Sequence, residues 1–472
     1  MTDLEAVAPV VVRDAATDRV RSLAALAHAL ALFQFANQPD EARALLGAAA
    51  ERVDDPGWRD VLAAEDASYQ LQMGDIATAQ ARAEPLLDSP NPLAAAGAAA
   101  VVGPAQALQG RIADALATAD LGIERAESAV SDFPDTGQYL FHKLVALVDD
   151  GQVGLAEALA QPAMDDLPPV AAPFERAFLA LSLGRILRLR GRPVSAARWF
   201  REAAAAFESV SRMGFASWSF AGLSAVLVKV GDVTGAQAAA ARARAKHHPI
   251  RVGAAEVERS LAWVLVAQGE NDRAAAAFER AAESGLAAYE LVHAGHALHD
   301  LVRLGRPQVA ADRLALLRER TDSQVVGAYA DHAAAWVAGD LGGVESAART
   351  FEALGCELFA AEAWAVAARL AAASAGTERR GAAARRRAAA LAGRCEGARS
   401  PLIGDDVASL ALSAREREVA ELAAQGLARR DIADRLVVGR RTVDSHLQRI
   451  YRKLGVSSSQ GLAEALRDTD QG

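Results

Sequence analysis

The pattern of apolar and polar positions predicts pairs of amphipathic helices along most of the chain. In one typical unit, the apolar run 261–266 leads to Gly269, and a second helix follows in which Phe278 and Ala281 lie at helical spacing. Gly suits the left-handed backbone at a helix end, and the Asn271 side chain can cap the free amides of the next helix. Each such unit predicts a helical hairpin.

The hairpin signal recurs with a period of 36 to 41 residues. In each copy a turn residue is followed five positions later by an Ala, which lets two helices approach closely. The turn residues are Asn37, Gly74, Gly110, Gly151, Gly191, Gly231, Gly269, Gly305 and Gly342. A period this regular is typical of a solenoid of stacked units. The sequence therefore predicts about nine hairpins within residues 1–375.

A basic segment, residues 376–410, follows the repeats. Between residues 378 and 399 it carries seven Arg against two Glu, and Ala triplets on both sides of residues 385–387 predict a helix. Gly and Pro residues from 393 to 406 predict a break and a domain boundary. The Arg cluster has two interpretations, a solvated helix face or a contact with the DNA backbone.

Residues 411–472 carry a different pattern, which predicts a small module of four short helices. Ser413 and Glu416 have the spacing of a capping box that begins the first helix. A second helix is expected at 429–436 and a short fourth helix at about 460–466. The third helix begins near Arg441 and places four apolar residues on one face: Val443, Leu447, Ile450 and Leu454. Two helices joined by a short turn that contains Gly predict a helix-turn-helix.

Composition supports an all-α protein and reveals an uneven charge. Hydrophobic residues make up 52% but aromatic residues only 5%, so small helix-forming side chains dominate. The net charge is −9, yet residues 413–467 hold eleven Arg and Lys against seven Asp and Glu, which leaves −13 for the rest. A basic module beside an acidic array indicates nucleic-acid binding. It also raises the hypothesis that the acidic array masks the basic module in an off state.

The C-terminal module resembles the LuxR-type DNA-binding domain over about 55 residues. The matching elements are 412–419, Gly426-Leu427, 431–433, Leu436, Arg441-Thr442-Val443, His446-Leu447 and 451–456. Gly439 and Asp444 depart from the family, which often has Ser and Lys at these positions. An acid at 444 cannot bind guanine and could accept from cytosine N4, so we expect a different target sequence.

The resemblance implies a set of residues that contact double-stranded DNA, which the protein is expected to bind as a homodimer. Asp444, Ser445 and Gln448 fall where family members touch base edges. The remaining DNA-binding positions lie near phosphates and are Arg429, Arg430, Arg440, Arg441, Thr442, Arg449, Arg452 and Lys453.

The repeats resemble tetratricopeptide-type repeats, and the whole arrangement resembles the large LuxR-type regulators. The predicted fold is an all-α solenoid followed by a four-helix helix-turn-helix domain. The implied function is a cytoplasmic transcription regulator whose repeats sense a ligand or protein partner, with RNA polymerase as a further partner. The alternative is an interaction scaffold with a degenerate DNA-binding module. In the large LuxR-type regulators a P-loop ATPase usually precedes the repeats. None of the four Lys here follows a Gly, so ATP hydrolysis is not predicted.

Other candidate sites are interpreted as structural. His293, His296 and His299 are spaced so that the outer two lie about 120° apart on a helix, which favours packing over a metal site. Cys356 and Cys395 are too few for a disulfide scaffold or a zinc site built on paired cysteines. No signal peptide, membrane span, cofactor site or catalytic motif is predicted, and the protein is not expected to be an enzyme.

Overall fold

The computed structural model describes residues 17–129, 137–167, 173–209, 213–245, 248–454, 456, 458 and 460–463. Within these ranges the regular elements are α-helices and one short 3₁₀ helix, Glu84–Asp88, with no strand. The expected all-α fold is therefore confirmed. Residues 1–16 of the predicted repeat region and 464–466 of the predicted fourth helix of the module lie outside the described residues.

The described helices up to residue 392 pair into ten hairpins, in which odd-numbered helices come first and even-numbered helices second. The first helices are α1 (Asp18–Gln34), α3 (Pro56–Gln72), α5 (Pro92–Leu108), α7 (Gly137–Asp150), α9 (Pro173–Arg190), α11 (Met213–Val230), α13 (Ala254–Ala267), α15 (Leu291–Arg303), α17 (Gln324–Ala338) and α19 (Glu357–Ala372). The second helices are α2 (Pro39–Ala50), α4 (Ile76–Ala83), α6 (Ile112–Ser128), α8 (Val153–Asp166), α10 (Pro193–Ser209), α12 (Val233–Arg244), α14 (Asn271–Ala287), α16 (Pro307–Arg320), α18 (Leu341–Ala353) and α20 (Glu378–Ala392).

The predicted turn glycines from Gly74 to Gly305 follow first helices, but Gly342 lies inside α18 and Gly339 forms that turn instead. Gly110 shows why the turn residue must be small. Its φ of 73° lies in the left-handed region, which disfavours other residues. A Cβ atom there would also lie 2.5 Å from the Cβ atom of Thr321. The turn therefore requires glycine for its backbone angle and for the close approach of a helix connection more than 200 residues away.

The array coils so that hairpins five apart along the chain touch. First helix α5 contacts α15, α7 contacts α17 and α9 contacts α19. Asp322, which lies between α16 and α17, also joins two distant hairpins. Its carboxylate accepts from the amides of Ile112 (2.6 Å) and Ala113 (3.2 Å) at the start of α6. Glu396 does the same for Val194 (2.8 Å) and Ser195 (3.0 Å) at the start of α10. The first helices thereby enclose the interior of a superhelix, and one turn takes five hairpins.

The basic helix of residues 378–392 belongs structurally to the repeats, which corrects its expected position in a linker. It packs along α19 as the second helix of the tenth hairpin and buries Ala384, Ala388 and Leu391. Two of its arginines pair with acids of α18: Arg380 with Glu345 (2.9 Å), and Arg387 with Glu352. The predicted division at residue 375 therefore separates two helices that form one hairpin.

The C-terminal module follows a short helix, α21 (Asp405–Ala408), and contains α22 (Ala414–Ala424), α23 (Arg429–Arg435) and α24 (Arg440–Leu454). Residues 460–463 are helical where the sequence predicts a fourth helix. The module has its own core, formed by Val419, Ile432, Val443, Leu447, Ile450 and Leu462 among others. Among the described helices of the whole chain, none is both long and apolar enough to cross a membrane.

Candidate nucleic-acid interface

The capping box at the start of α22 fixes the first helix of the module. The Ser413 hydroxyl accepts from the Glu416 amide (3.2 Å), and the Glu416 carboxylate accepts from the Ser413 amide (2.9 Å). Both predicted halves of the motif are thus confirmed. Because the free amides at the helix end are satisfied, α22 begins at a defined residue and provides a fixed support for α23 and α24.

Helix α24 is anchored by one face and exposes the other. Val443, Leu447 and Ile450 are buried in the module core at spacings of four and three residues, as the sequence predicts. Arg440, Arg441, Thr442, Ser445, Gln448, Arg449 and Arg452 are exposed, and Asp444 is half-buried. We refer to these eight residues as the reading face. The reading face contains eight of the eleven residues predicted to contact DNA.

Asp444 is engaged by a neighbouring helix instead of standing free on the reading face. The Arg429 guanidinium, at the start of α23, donates to the Asp444 carboxylate at 2.8 Å. The pair joins the first turns of α23 and α24 and neutralises the acid that departs from the family pattern. Arg430, one residue further, keeps 85% of its side chain exposed and lies 4.0 Å from Asp434.

Lys453 is held by other residues of the module, and its predicted phosphate contact stays a prediction. Its ammonium donates to the Glu416 carboxylate (2.7 Å) and to the Ala411 carbonyl (2.8 Å). Burial raises the pKa of Glu416, but the hydrogen bonds from Lys453 and the Ser413 amide outweigh it, and the pKa is lowered. Lys453 therefore holds the end of α24 to the capping box, and its charge does not face the reading face.

The module rests on the last hairpin of the repeats through the side opposite the reading face. The Arg417 guanidinium donates to the Ala390 carbonyl at 3.5 Å, and a small cavity between the two units is lined by Ala389, Leu412 and Lys453. The exposed residues of α24 are not covered by the acidic array. In this conformation the masking expected from the charge asymmetry is therefore absent among the described residues.

Sequence reasoning missed a second polar cluster, which lies inside the repeat array. His293, His296 and His299 belong to it and are buried, with His293 Nδ1 3.0 Å from Glu290. Across the described ranges, no group of three or more His, Cys, Asp or Glu side chains is arranged to hold a metal ion. The cluster also contains arginines and a lysine, and the available signal was the presence of charged residues within otherwise apolar first helices.

Comparisons with known proteins match the module. The sequence profile of the family described as "Bacterial regulatory proteins, luxR family" matches residues 410–466. Proteins named HTH-type transcriptional regulators from Mycobacterium bovis and Mycobacterium tuberculosis are 45% identical over 53 residues. Those residues make up 11% of this chain and 6% of each relative, so the chain spans only a small part of their length.

Among solved structures, two align with this chain at low identity. A Rap protein complexed with competence and sporulation factor aligns over 70% of this chain and 99% of its own, with 15% identity and a TM-score of 0.46. The APC/C hetero-tetramer Cut9-Hcn1 aligns over 95% of this chain and 90% of its own, with 11% identity and a TM-score of 0.30.

The capping box, the exposed helix α24 and the profile match point to the same conclusion for the end of the chain. Residues 410–466 form a LuxR-type helix-turn-helix domain, carried by an array of helical repeats.

Proposed function

We propose that the protein is a transcription regulator that binds specific double-stranded DNA through α24. The observation that carries this proposal is the exposed reading face, held in place by the buried residues Val443, Leu447 and Ile450. Fifteen residues give a helix of roughly 22 Å, which fits along a major groove about 12 Å wide.

Apart from Asp444, which is paired with Arg429, the residues of the reading face divide into two groups by their chemistry. Ser445 and Gln448 are short neutral donors and acceptors that can read base edges, and Gln is suited to adenine. Arg440, Arg441, Arg449 and Arg452, with Thr442, supply the cations and the hydroxyl that bind phosphates, and Arg430 on α23 adds a further cation beside the reading face. We propose that two copies bind paired half-sites about one helical turn of DNA apart.

In this proposal the repeat array senses a ligand or a protein partner, and the regulator acts in the cytoplasm, where RNA polymerase is a further partner. The contact between Arg417 and Ala390 supports transmission, because it connects the DNA-binding domain directly to the last hairpin of the array. A change in the position of that hairpin would change how two domains are presented to paired half-sites.

Selection of bound sequences from a random DNA pool tests the proposal. We expect a defined motif, and we expect Gln448→Ala and Ser445→Ala to change the preferred bases while the protein remains folded. Arg273→Ala serves as the control, because Arg273 is exposed on α14 of the repeats and pairs only locally, with Glu270. If the chain is a scaffold with a degenerate module, no motif emerges and none of the three variants changes DNA binding.

A further inference from the structure

The interior of the superhelix contains a continuous network of buried charges. The chain of contacts runs from Arg188 to Glu256 (2.6 Å), to Arg259 (2.9 Å), to Asp300 (2.6 Å), to Arg303 (2.9 Å) and to Glu362 (2.7 Å). The network joins four first helices. Arg188 lies on α9 and Glu362 on α19, while α13 and α15 each contribute two residues that are one turn apart. In the network every carboxylate touches at least one guanidinium.

Lys229 lies beside this network but, unlike its members, makes no hydrogen bond through its charged group. Its side chain, on the last turn of α11, is 8% exposed, and its Nζ atom lies among the buried polar atoms that have no hydrogen-bond partner. The Nζ atom instead lies 3.1 Å from the centre of the Trp263 ring. A π face stabilises a cation only in part, and the three donors of a buried ammonium need acceptors. Burial and the nearby Arg303 lower the pKa of Lys229 well below its ordinary value.

A cavity of about 40 Å³ lies beside Lys229 and is lined mainly by residues of the first helices. The charged residues of its lining are Arg188, Lys229, Arg259, Arg303 and Asp300, and Glu256 and Glu362 pair with the arginines from outside the lining. His299 also lines it, is 1% exposed, and has an Nδ1 atom without a hydrogen-bond partner. A space of this size holds about three water molecules or an anion of three to five non-hydrogen atoms. The unpartnered Nζ of Lys229 and the unpartnered Nδ1 of His299 therefore belong to two residues that line one small space.

We propose that this cavity binds a small oxyanion, a short-chain carboxylate or inorganic phosphate, through the Lys229 ammonium. The anion supplies the acceptors that Lys229 lacks and the opposite charge that favours the protonated form of its amine. Arg188, Arg259 and Arg303 keep their partners Glu256, Asp300 and Glu362, so these groups balance in charge and the Lys229 ammonium supplies the net positive charge. The apolar walls formed by Trp263 and Phe359 restrict the site to ligands with a small or apolar remainder.

The site is connected to the segment that leads to the DNA-binding domain. The Lys229 carbonyl accepts from the Arg399 amide (2.7 Å), and a Cβ atom on Gly231, just after the same helix, would lie 2.7 Å from the carbon of the Arg399 guanidinium. Phe359 and Leu358 of the cavity wall begin α19, whose hairpin partner α20 contacts the DNA-binding domain. A small oxyanion would thus be the ligand that the repeat array senses. This regulatory role rests on the proposed function as a transcription regulator.

Thermal unfolding of the full chain tests the binding step without DNA. Formate, acetate and phosphate are compared with chloride at constant ionic strength, and we expect at least one oxyanion to raise the melting temperature by a few degrees at saturation. The member of the series that acts distinguishes a carboxylate from phosphate. If no oxyanion raises the melting temperature more than chloride does, the proposal of an anion site is contradicted.

Substitutions at Lys229 then locate the effect. Lys229→Met removes the charge at similar size, and we expect it to lose the oxyanion effect while its melting temperature without oxyanion equals or exceeds that of the unmodified protein. Lys143→Met is the matched control, since Lys143 pairs with Asp120 outside the cavity and should leave the oxyanion effect unchanged. Should Lys229→Met fail to fold, Lys229→Gln keeps a donor without the charge and should weaken oxyanion binding at least tenfold in calorimetric titration. An unchanged oxyanion effect in either variant contradicts the proposal.

Discussion

The Arg429 guanidinium lies 2.8 Å from the Asp444 carboxylate, so the acid at the start of the reading helix is neutralised by the neighbouring helix. The two side chains are 56% and 42% exposed, and ion pairs of this kind stabilise a fold by less than about 1 kcal/mol. The effect of the pair is therefore expected in DNA binding, where an unpaired carboxylate would face the phosphate backbone.

Removing Arg429 should weaken DNA binding more than removing a simple phosphate contact, because Asp444 then repels the DNA. We predict that Arg429→Ala lowers affinity at least tenfold and that adding Asp444→Ala restores a large part of the loss, measured by fluorescence anisotropy with a selected DNA. If the double variant binds no better than the single one, Asp444 does not act through Arg429.

Lys453 and Arg452 are adjacent, but substituting Lys453 should lower the stability of the module, whereas substituting Arg452 should change DNA binding. Lys453→Met removes charge-assisted hydrogen bonds to Glu416 and Ala411, and we expect a loss of about 1.5–3 kcal/mol in the local stability of the module. Arg452→Met should leave stability within about 0.5 kcal/mol and reduce the salt dependence of DNA binding by about one unit of slope.

Hydrogen exchange of the module and DNA titrations at several salt concentrations separate the two variants. A reduced salt slope for Lys453→Met, with unchanged exchange in α22 and α24, would show that the lysine contacts phosphate after all.

Val437 in the turn between α23 and α24 has a φ of 52° and is 90% exposed. A β-branched residue is strained in the left-handed region, whereas Asn tolerates it. Val437→Asn should therefore stabilise the module by about 1 kcal/mol and slow hydrogen exchange in α23 and α24 roughly fivefold. Val438→Asn, at a half-buried neighbour packed on the module core, should accelerate exchange. Equal exchange in the Val437 variant and the unmodified protein would mean that the turn stores no strain.

The buried His332 makes the array sensitive to acid. Burial lowers its pKa to about 4, from an ordinary value of 6.5. The unfolded chain then binds the proton first, so stability is complete above pH 6.5 and falls as the pH drops towards 4, by up to about 1.4 kcal/mol per pH unit. His332→Asn retains a polar group near His299 but does not titrate. Thermal unfolding between pH 4.5 and 7.5 should show a shallower pH dependence for this variant; a dependence equal to that of the unmodified protein excludes His332 as a source.

Local features of the fold were predictable from the sequence. The turn glycines from Gly74 to Gly305, the small residues five positions later and the Ser413–Glu416 capping box each depend on neighbours within a few residues, and their spacing identifies them directly. The reading face of α24 follows from the same kind of reasoning, because Val443, Leu447 and Ile450 define its opposite side.

Contacts between distant hairpins were not predictable in this way. Asp322 caps a helix that begins 210 residues earlier, and Arg303 pairs with Glu362 two hairpins away. In the sequence each of these charged residues resembles an ordinary surface charge, because its neighbours in the chain do not show that the superhelix brings a distant partner close to it. The Arg429–Asp444 and Lys453–Glu416 pairs were missed for a related reason: a resemblance assigns positions to DNA, but the partner across the module decides whether a side chain is free to reach it.

Competition binding with a selected DNA sequence tests the central claim most directly. The full chain is bound to the selected sequence at 150 mM salt and challenged with random DNA of the same length. We predict that the selected sequence is preferred by about 10³-fold or more and that Gln448→Ala reduces this preference by one to two orders of magnitude. Equal competition by random DNA would contradict the assignment of α24 as a sequence-reading helix.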